Sequence, residues 1–395
     1  MNAGTAAGAV AGRAPEAAPG VWSTLVGQRH VVDSLARAAA GHGMTHAWLF
    51  TGPPGSGRSN AAIAFAAALQ CLEGGCGTCH TCQTVLAGSH PDVSITRAQR
   101  AQIATEDMRD LVHRSALAPA GRRHQVMVIE DADRLHERAA NALLKAIEEP
   151  TPKTVWLLCA PTLEDVLPTI RSRCRNVVLT TPTATEVARF LREQDGIPDG
   201  IAAFAARASQ GHIGRARALA RDDETRNRRH EVVSLPARLT SLNACLNAAA
   251  NLVDIAEQET SAITEATNSA ETAELDRTFG DDRKSRASRA YQAALKELTY
   301  DQKQREKRRQ MDVIDRCLMD LMSVYRDAVA LQVGAPGALV NEEIRAEVED
   351  VARRSTPEEN LRRIDAIFTA REQMMEFNAN RLSALESMMV RLRTR

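Results

Sequence analysis

Short, almost wholly apolar runs alternate with stretches of helical spacing through the first half of the chain. His46-Ala-Trp-Leu-Phe-Thr51, Val93 to Thr96, Gln125 to Ile129, Val155 to Cys159 and Val177 to Leu179 read as buried strands. Between them, Val31 to Ala40, Ala61 to Leu69, Thr105 to Leu117 and Glu137 to Glu149 repeat apolar residues every three or four positions and read as helices. Strands alternating with helices predict a parallel sheet covered on both faces. After Thr180-Thr-Pro182 the strand signal stops. Ala184 to Glu193, Gly200 to Ser209 and Arg215 to Asp222 predict three short helices, and from Arg229 onward the chain reads as helix with interruptions. Residues 256–309 are polar, acidic first (Glu257, Glu259, Glu265, Glu271, Glu274) and basic later (Arg283, Lys284, Arg286, Lys307, Arg308, Arg309). One reading is a solvated or partly disordered insertion, of which a long helical hairpin whose halves attract is one form; the other is an arm that contacts a partner or DNA. Apolar periodicity returns at Met311 and runs to Leu392, with Gly334-Ala-Pro-Gly337 as a break. The expected organisation is a tail (1–20), an α/β domain (21–181), a small helical domain (182–228) and a larger helical domain (229–395).

Composition narrows the class. The chain has 395 residues, 44% of them hydrophobic, enough to bury real cores and to exclude wholesale disorder. Fifty basic side chains balance fifty acidic ones, which excludes a protein that coats nucleic acid by net charge but not a local basic face. Aromatic residues are only 3%, too few for a module that stacks many bases. No apolar run approaches the roughly 18–20 residues that span a bilayer, so no membrane is expected. Residues 1–20 are rich in Ala and Gly without a large apolar core, which reads as a tail rather than a secretory signal, and the expected location is the cytoplasm.

Three motifs carry chemistry. Gly52-Pro-Pro-Gly-Ser-Gly-Arg-Ser59, between a strand and a helix, follows the phosphate-binding template G-x-x-x-x-G-K-[ST] with Arg58 in place of lysine. Gly52, Gly55 and Gly57 let backbone N–H groups face an anion, and Ser59 has the hydroxyl that a magnesium ion would take. Arginine keeps the charge but is bulkier and planar, so the exchange is not conservative. The strand at 125–129 runs into Glu130-Asp131 rather than the Asp-Glu order of an active ATPase. Each carboxylate is displaced by a methylene, which argues against hydrolysis; the simpler reading is that these acids cap the following helix. Arg171-Ser-Arg-Cys174 reads either as basic surface or as an arginine finger.

Four of the eight cysteines, Cys71, Cys76, Cys79 and Cys82, fall within twelve residues. That spacing closes a tetrahedral structural zinc site, with His80 and His90 as nearby surface histidines. Cys159, Cys174, Cys245 and Cys317 are scattered and read as small buried residues.

These features resemble, in register, the delta-prime family of the bacterial DNA polymerase III clamp loader, within the AAA+ superfamily. The matching residues are Leu25-Val-Gly-Gln28, His46 to Gly57, the cysteine insert, Asn141-Ala-Leu-Leu-Lys-Ala-Ile-Glu-Glu-Pro150, Ser172-Arg-Cys174, and Phe377-Asn-Ala-Asn380 with Leu382 and Glu386. The resemblance implies an AAA+ parallel-sheet domain with a zinc module at about 71–90, a helical lid and a helical collar. It implies a hetero-pentameric ring with gamma/tau motor and delta subunits that places the sliding clamp on primer-template DNA. It gives Arg173, flanked by Ser172 and Cys174, the role of a finger acting on a neighbour's ATP.

Gly52, Gly55, Gly57, Arg58, Ser59, Glu130 and Asp131 are then a degenerate nucleotide site, for which binding of ATP and magnesium is an even choice. The gamma/tau motor family shares most motifs and is the alternative, but its usual threonine falls here at Ala160 or Pro161. Its lid arginine falls at Gly214 or, one position on, at Arg215. A third reading is a zinc-dependent nucleic-acid scaffold on a decayed ATPase fold.

Overall fold

The computed structural model of the protein describes residues 20–98, 103–121, 123–279, 288–375, 377 and 379–393. The expected tail, the basic residues Arg283, Lys284 and Arg286, and Asn378 lie outside the described residues.

Five parallel strands form one sheet in the order β2-β3-β4-β1-β5. They are β1 (Ala47–Thr51), β2 (Val93–Thr96), β3 (Gln125–Ile129), β4 (Thr154–Ala160) and β5 (Arg175–Val178). β1, β3 and β4 are buried along their whole length, which explains their unbroken apolar sequence. In β5 only Val177 is buried, so this edge strand has a weak apolar signature. It begins two residues before the expected run, and the Arg175 guanidinium lies 4.9 Å from the Trp48 ring centroid.

Each face of the sheet has its own core. Phe50, Val126 and Leu157 pack with α1 (Arg29–Ala39) and α2 (Arg58–Gln70). Leu49, Met127 and Trp156 pack with α4 (Thr105–Ser115) and α5 (Glu137–Glu148). α3 (His80–Leu86) joins the first core through Cys82 and Val85. The four-residue α6 (Pro168–Arg171) leads into β5.

A separate small core unites α7 (Ala184–Asp195), α8 (Asp199–Ala208) and α9 (Ile213–Arg221). α7 opens with a capping box in which Thr183 and Glu186 satisfy each other's backbone N–H groups. The last core is wholly helical. It comprises α10 (Asp223–Val233), α11 (Leu235–Arg238), α12 (Leu242–Phe279), α13 (Arg289–Gln332), α14 (Arg345–Arg353), α15 (Pro357–Met375) and α16 (Arg381–Leu392). Among the described residues, no helix is long and apolar enough to cross a membrane.

The described helical residues of the polar stretch, 256–279 and 289–309, form the outer parts of α12 and α13. They run antiparallel, as the ladder of contacts shows: Glu259 with Arg316, Asn268 with Glu306, Glu271 with Arg305 and Asp276 with Tyr291. The acidic half thus lies against the basic half, as the hairpin reading expected. At about 1.5 Å per residue the two helices extend roughly 57 and 66 Å.

Candidate functional site

Strand β1 delivers the chain into the glycine loop, and β3 delivers it to the two acids. β4 lies between them, so both segments emerge at the carboxyl end of the sheet, where open parallel sheets hold ligands. Gly57 sits at φ +91° and is the N-cap of α2, whose N-terminal N–H groups open toward the loop. Gly55 has φ +85°, and a Cβ there would meet the Cβ of His212 at 2.6 Å. The small helical domain therefore rests directly on the glycine loop. His212 accepts the Arg215 N–H on Nδ1, and burial, with Arg215 nearby, lowers its pKa. A neutral imidazole is what this capping role requires.

The charged groups at the loop are turned toward protein partners. Arg58 folds back and donates from Nη1 to the Gly52 carbonyl at 2.5 Å. Ser56 Oγ is buried without a protein partner, and Ser59 is half-buried beside it. Glu130 pairs with Arg97 at 2.9 Å. Asp131 accepts the Ala98 N–H at 3.0 Å and pairs with Arg308 of α13 at 3.2 Å. It makes no side-chain cap to the short 3-10 turn that follows, so the capping reading gives way to a tertiary contact. Arg215 is drawn away from the loop into a two-oxygen pair with Asp320 of α13. Asp320 also faces Arg229 at 3.3 Å, and Arg229 continues to Glu343 and Asn341. Ala160 and Pro161 close β4 without a hydroxyl, and the Pro161 carbonyl accepts the Gly52 N–H.

Arg173 stands apart from this cluster, in the turn between α6 and β5. It is 39% exposed, pairs with Glu148 at the end of α5 at 2.6 Å, and donates to the Thr169 carbonyl. Ser172 Oγ lies 3.3 Å from the same guanidinium. Cys174 turns inward against the α5 side of the sheet, and burial pushes its thiol up to about 12. It is thus inert packing beside the arginine.

The four clustered cysteines converge. All four sulfurs lie within 4.8 Å of one another, with Cys71 to Cys76 at 3.7 Å and Cys71 to Cys79 at 3.8 Å. Four sulfurs about 2.3 Å from a common centre would be spaced roughly 3.8 Å apart, so the set fits a tetrahedral metal site. Backbone N–H groups of Glu73, Cys79 and Cys82 point at the sulfurs of Cys71, Cys76 and Cys79. Those from Cys79 and Thr78 lower the Cys76 thiol to about 6, favouring the thiolate that metals bind. Burial instead pushes Cys82 upward. Gly75, at φ +105°, permits the knuckle, since a Cβ there would strike Val21 at 2.6 Å. His80 is exposed, and His90 accepts the Asp92 N–H; neither joins the cluster.

Residues 27–183 match the family model described as DNA polymerase III, delta subunit. The delta' subunit of Pseudomonas aeruginosa DNA polymerase III is 36% identical over 160 residues, 39% of this chain and 48% of the relative. The chain resembles the delta-prime subunit of DNA polymerase III. The Bacillus subtilis delta' subunit is 30% identical over 49% of this chain and 59% of its own length. The tau/gamma subunit of Haemophilus influenzae is 34% identical over 49% of this chain and 30% of its own. The matches thus span between 30% and 59% of these relatives, and both subunit types are among them. Arg97, His212, Arg308, Asp320 and Glu148 complete the picture. Glu148 lies in the Asn141–Pro150 match and Arg308 in the basic run, but no sequence signal pairs any of the five with its partner; tertiary packing does.

Proposed function

We propose that this chain is a delta-prime-like subunit of the DNA polymerase III clamp loader, a rigid, non-hydrolysing member of a hetero-pentameric ring with gamma/tau and delta subunits. In that ring it works in the cytoplasm, as the ring places the sliding clamp on primer-template DNA. Three of its parts serve this role: the α/β domain over 21–181, the lid over 182–228 and the collar over 229–395. One observation carries the reading. The four charged side chains that would meet a nucleotide's phosphates or magnesium are each engaged within the protein: Arg58 by the loop's own Gly52 carbonyl, Glu130 by Arg97, Asp131 by Arg308 and Arg215 by Asp320. A catalytic site keeps such groups free to meet charge as it develops.

Arg173 has the opposite setting. Its pair with Glu148 is exposed on both sides, so exchanging that partner costs only about 0–1 kcal/mol. A neighbour's phosphate offers a bidentate, charge-assisted replacement. From the turn that follows α6, the guanidinium would stabilise charge on a nucleotide bound by an adjacent subunit. The collar offers a surface for such neighbours: Leu361, Phe368 and Met375 follow one another at seven-residue spacing along α15, and all are exposed.

Cys71, Cys76, Cys79 and Cys82 would hold one zinc ion, whose contribution is structural because four protein ligands leave no open position. The test is reconstitution with motor, delta and clamp proteins. Arg173→Ala is expected to lower DNA-dependent ATP turnover of the assembled ring while leaving its mass unchanged. Normal turnover would refute the finger role. Because tau/gamma relatives match equally, the competing reading is an active motor subunit. Multiple turnovers by the purified chain, abolished by Arg58→Ala, would establish that reading instead.

A further inference from the structure

The contacts between α12 and α13 fix which side of α13 faces inward. Tyr291, Gln302, Arg305, Glu306 and Arg316 all reach across to α12. At 3.6 residues per turn, the face opposite this seam carries Arg289, Lys296, Tyr300, Lys303 and Lys307. All five are exposed, with Tyr300 at 53%. The four cations lie within about 40° of a single line that runs roughly 27 Å along the helix. No acid shares that line. Glu306, the acid three positions from Lys303, is engaged by Asn268, and Glu271 is engaged by Arg305. Glu297 flanks the line about a quarter-turn away. Lys303 and Lys307, four residues apart, repel each other and would weaken an isolated helix by a few tenths of a kcal/mol. A merely solvated face would alternate its signs, as the seam of this same hairpin does.

We propose that this outer face of α13 is a contact surface for the phosphate backbone of duplex nucleic acid. A duplex presents one negative charge per roughly 1.7 Å of axis, so a straight 27 Å line of cations meets charge along its whole length. The line is one-signed, rigid and set on an arm that stands out from the collar, and its lysine and arginine cations favour backbone contact over base readout. The overall neutrality of the chain does not oppose this, because among the described residues no acid of α13 falls on that line, and Glu271 and Glu306 face the seam. The inference stands apart from the clamp-loader reading, since it concerns the isolated chain without ATP or partners.

The experiment measures binding of the full chain to a fluorescent duplex of about 30 base pairs, long enough to cover the stripe, across a salt series. Three proteins are compared: wild type, the variant Arg289→Gln/Lys296→Gln/Lys303→Gln/Lys307→Gln, and a control of equal net charge, Arg353→Gln/Arg354→Gln/Arg362→Gln/Arg391→Gln. All eight positions are exposed, and circular dichroism verifies that each protein is folded. Four phosphate contacts contribute about 3.6 to the log–log salt slope. The stripe variant is expected to lose about that much slope, and the control little. Wild-type affinity should correspondingly fall about a hundredfold more than the variant's between roughly 50 and 200 mM salt. An unchanged slope in the stripe variant, or an equal loss in the control, overturns the proposal. So does equally tight wild-type binding to polyglutamate or to phosphatidylserine vesicles, which would mark a general polyanion surface.

Discussion

Asp320 is the point where the small and large helical domains are joined by charge, and Asp320→Ala is the most informative single perturbation of the fold. Its side chain is 4% exposed, against 12% for Arg215 and 3% for Arg229. Removing the carboxylate leaves Arg215 without a counter-ion at the base of the lid. Breaking a buried pair by deleting one partner costs about 3–5 kcal/mol. Arg229 keeps Glu343 and Asn341, so the lower end of that range, about 3 kcal/mol, is the expected loss. The effect should be local. Amide exchange in α8 and α9 should accelerate about a hundredfold, since 1.4 kcal/mol is a factor of ten, while β1, β3 and β4 stay protected. The double variant Arg215→Met/Asp320→Ala removes the stranded charge as well as its partner and should recover much of the loss. A loss below about 1 kcal/mol, or unchanged lid exchange in Asp320→Ala, would refute the view that this pair holds the lid.

Four further expectations are readily checked. Purified protein should contain about one zinc per chain, and Cys76→Ser or chelation should lower the melting temperature and expose Val21 and Val85 beneath the module. Arg308→Ala should cost about 1 kcal/mol or less, because both partners are partly exposed, yet increase amide exchange around residues 305–312 without creating ATP turnover. Arg58→Lys should likewise yield no turnover in a sensitive phosphate-release assay, since Glu130 and Asp131 remain engaged. The hairpin should loosen in acid: Arg305 holds the Glu271 carboxyl below its ordinary value of 4.5. That contribution is therefore complete above 4.5 and fades as pH falls through and below it, and Glu271→Gln should flatten this part of a circular-dichroism titration.

The sheet was legible from the sequence because fully buried parallel strands are written as unbroken apolar runs. The runs at 46–51, 93–96, 125–129 and 155–159 each fall on a strand to within a residue or so at either end. β5 is offset because its exposed Arg175 and Asn176 are polar and leave no apolar trace: Arg175 lies over the Trp48 ring, and Asn176 accepts the Thr51 hydroxyl. The cysteine cluster was legible because its ligands are neighbours in the chain. The contacts that occupy the glycine-loop site were not. Arg97 comes from the end of β2, Arg308 from a helix 177 residues beyond Asp131, and Asp320 from 105 residues beyond Arg215. A basic run such as Lys307-Arg308-Arg309 records charge but not direction, and only the helix phase separates Arg308, which faces the sheet domain, from Lys307, which faces outward. The lid arginine was ambiguous between Gly214 and Arg215 for a related reason. Sequence spacing places a guanidinium near the loop, but a buried carboxylate one domain away claims it.

The pairing of Asp131 with Arg308 also bears on how such a chain can change over generations. An acid that anchors a helix from another domain is selected for that contact, whatever else it does. Exchanging the order of Glu130 and Asp131 would disturb the anchor, whereas lysine at position 58 would leave it in place. Freeing the acid pair would require coordinated substitutions at the end of β3 and on α13. The contact thus acts as a ratchet, and in descendants of this chain Asp131 and Arg308 are expected to change together or not at all.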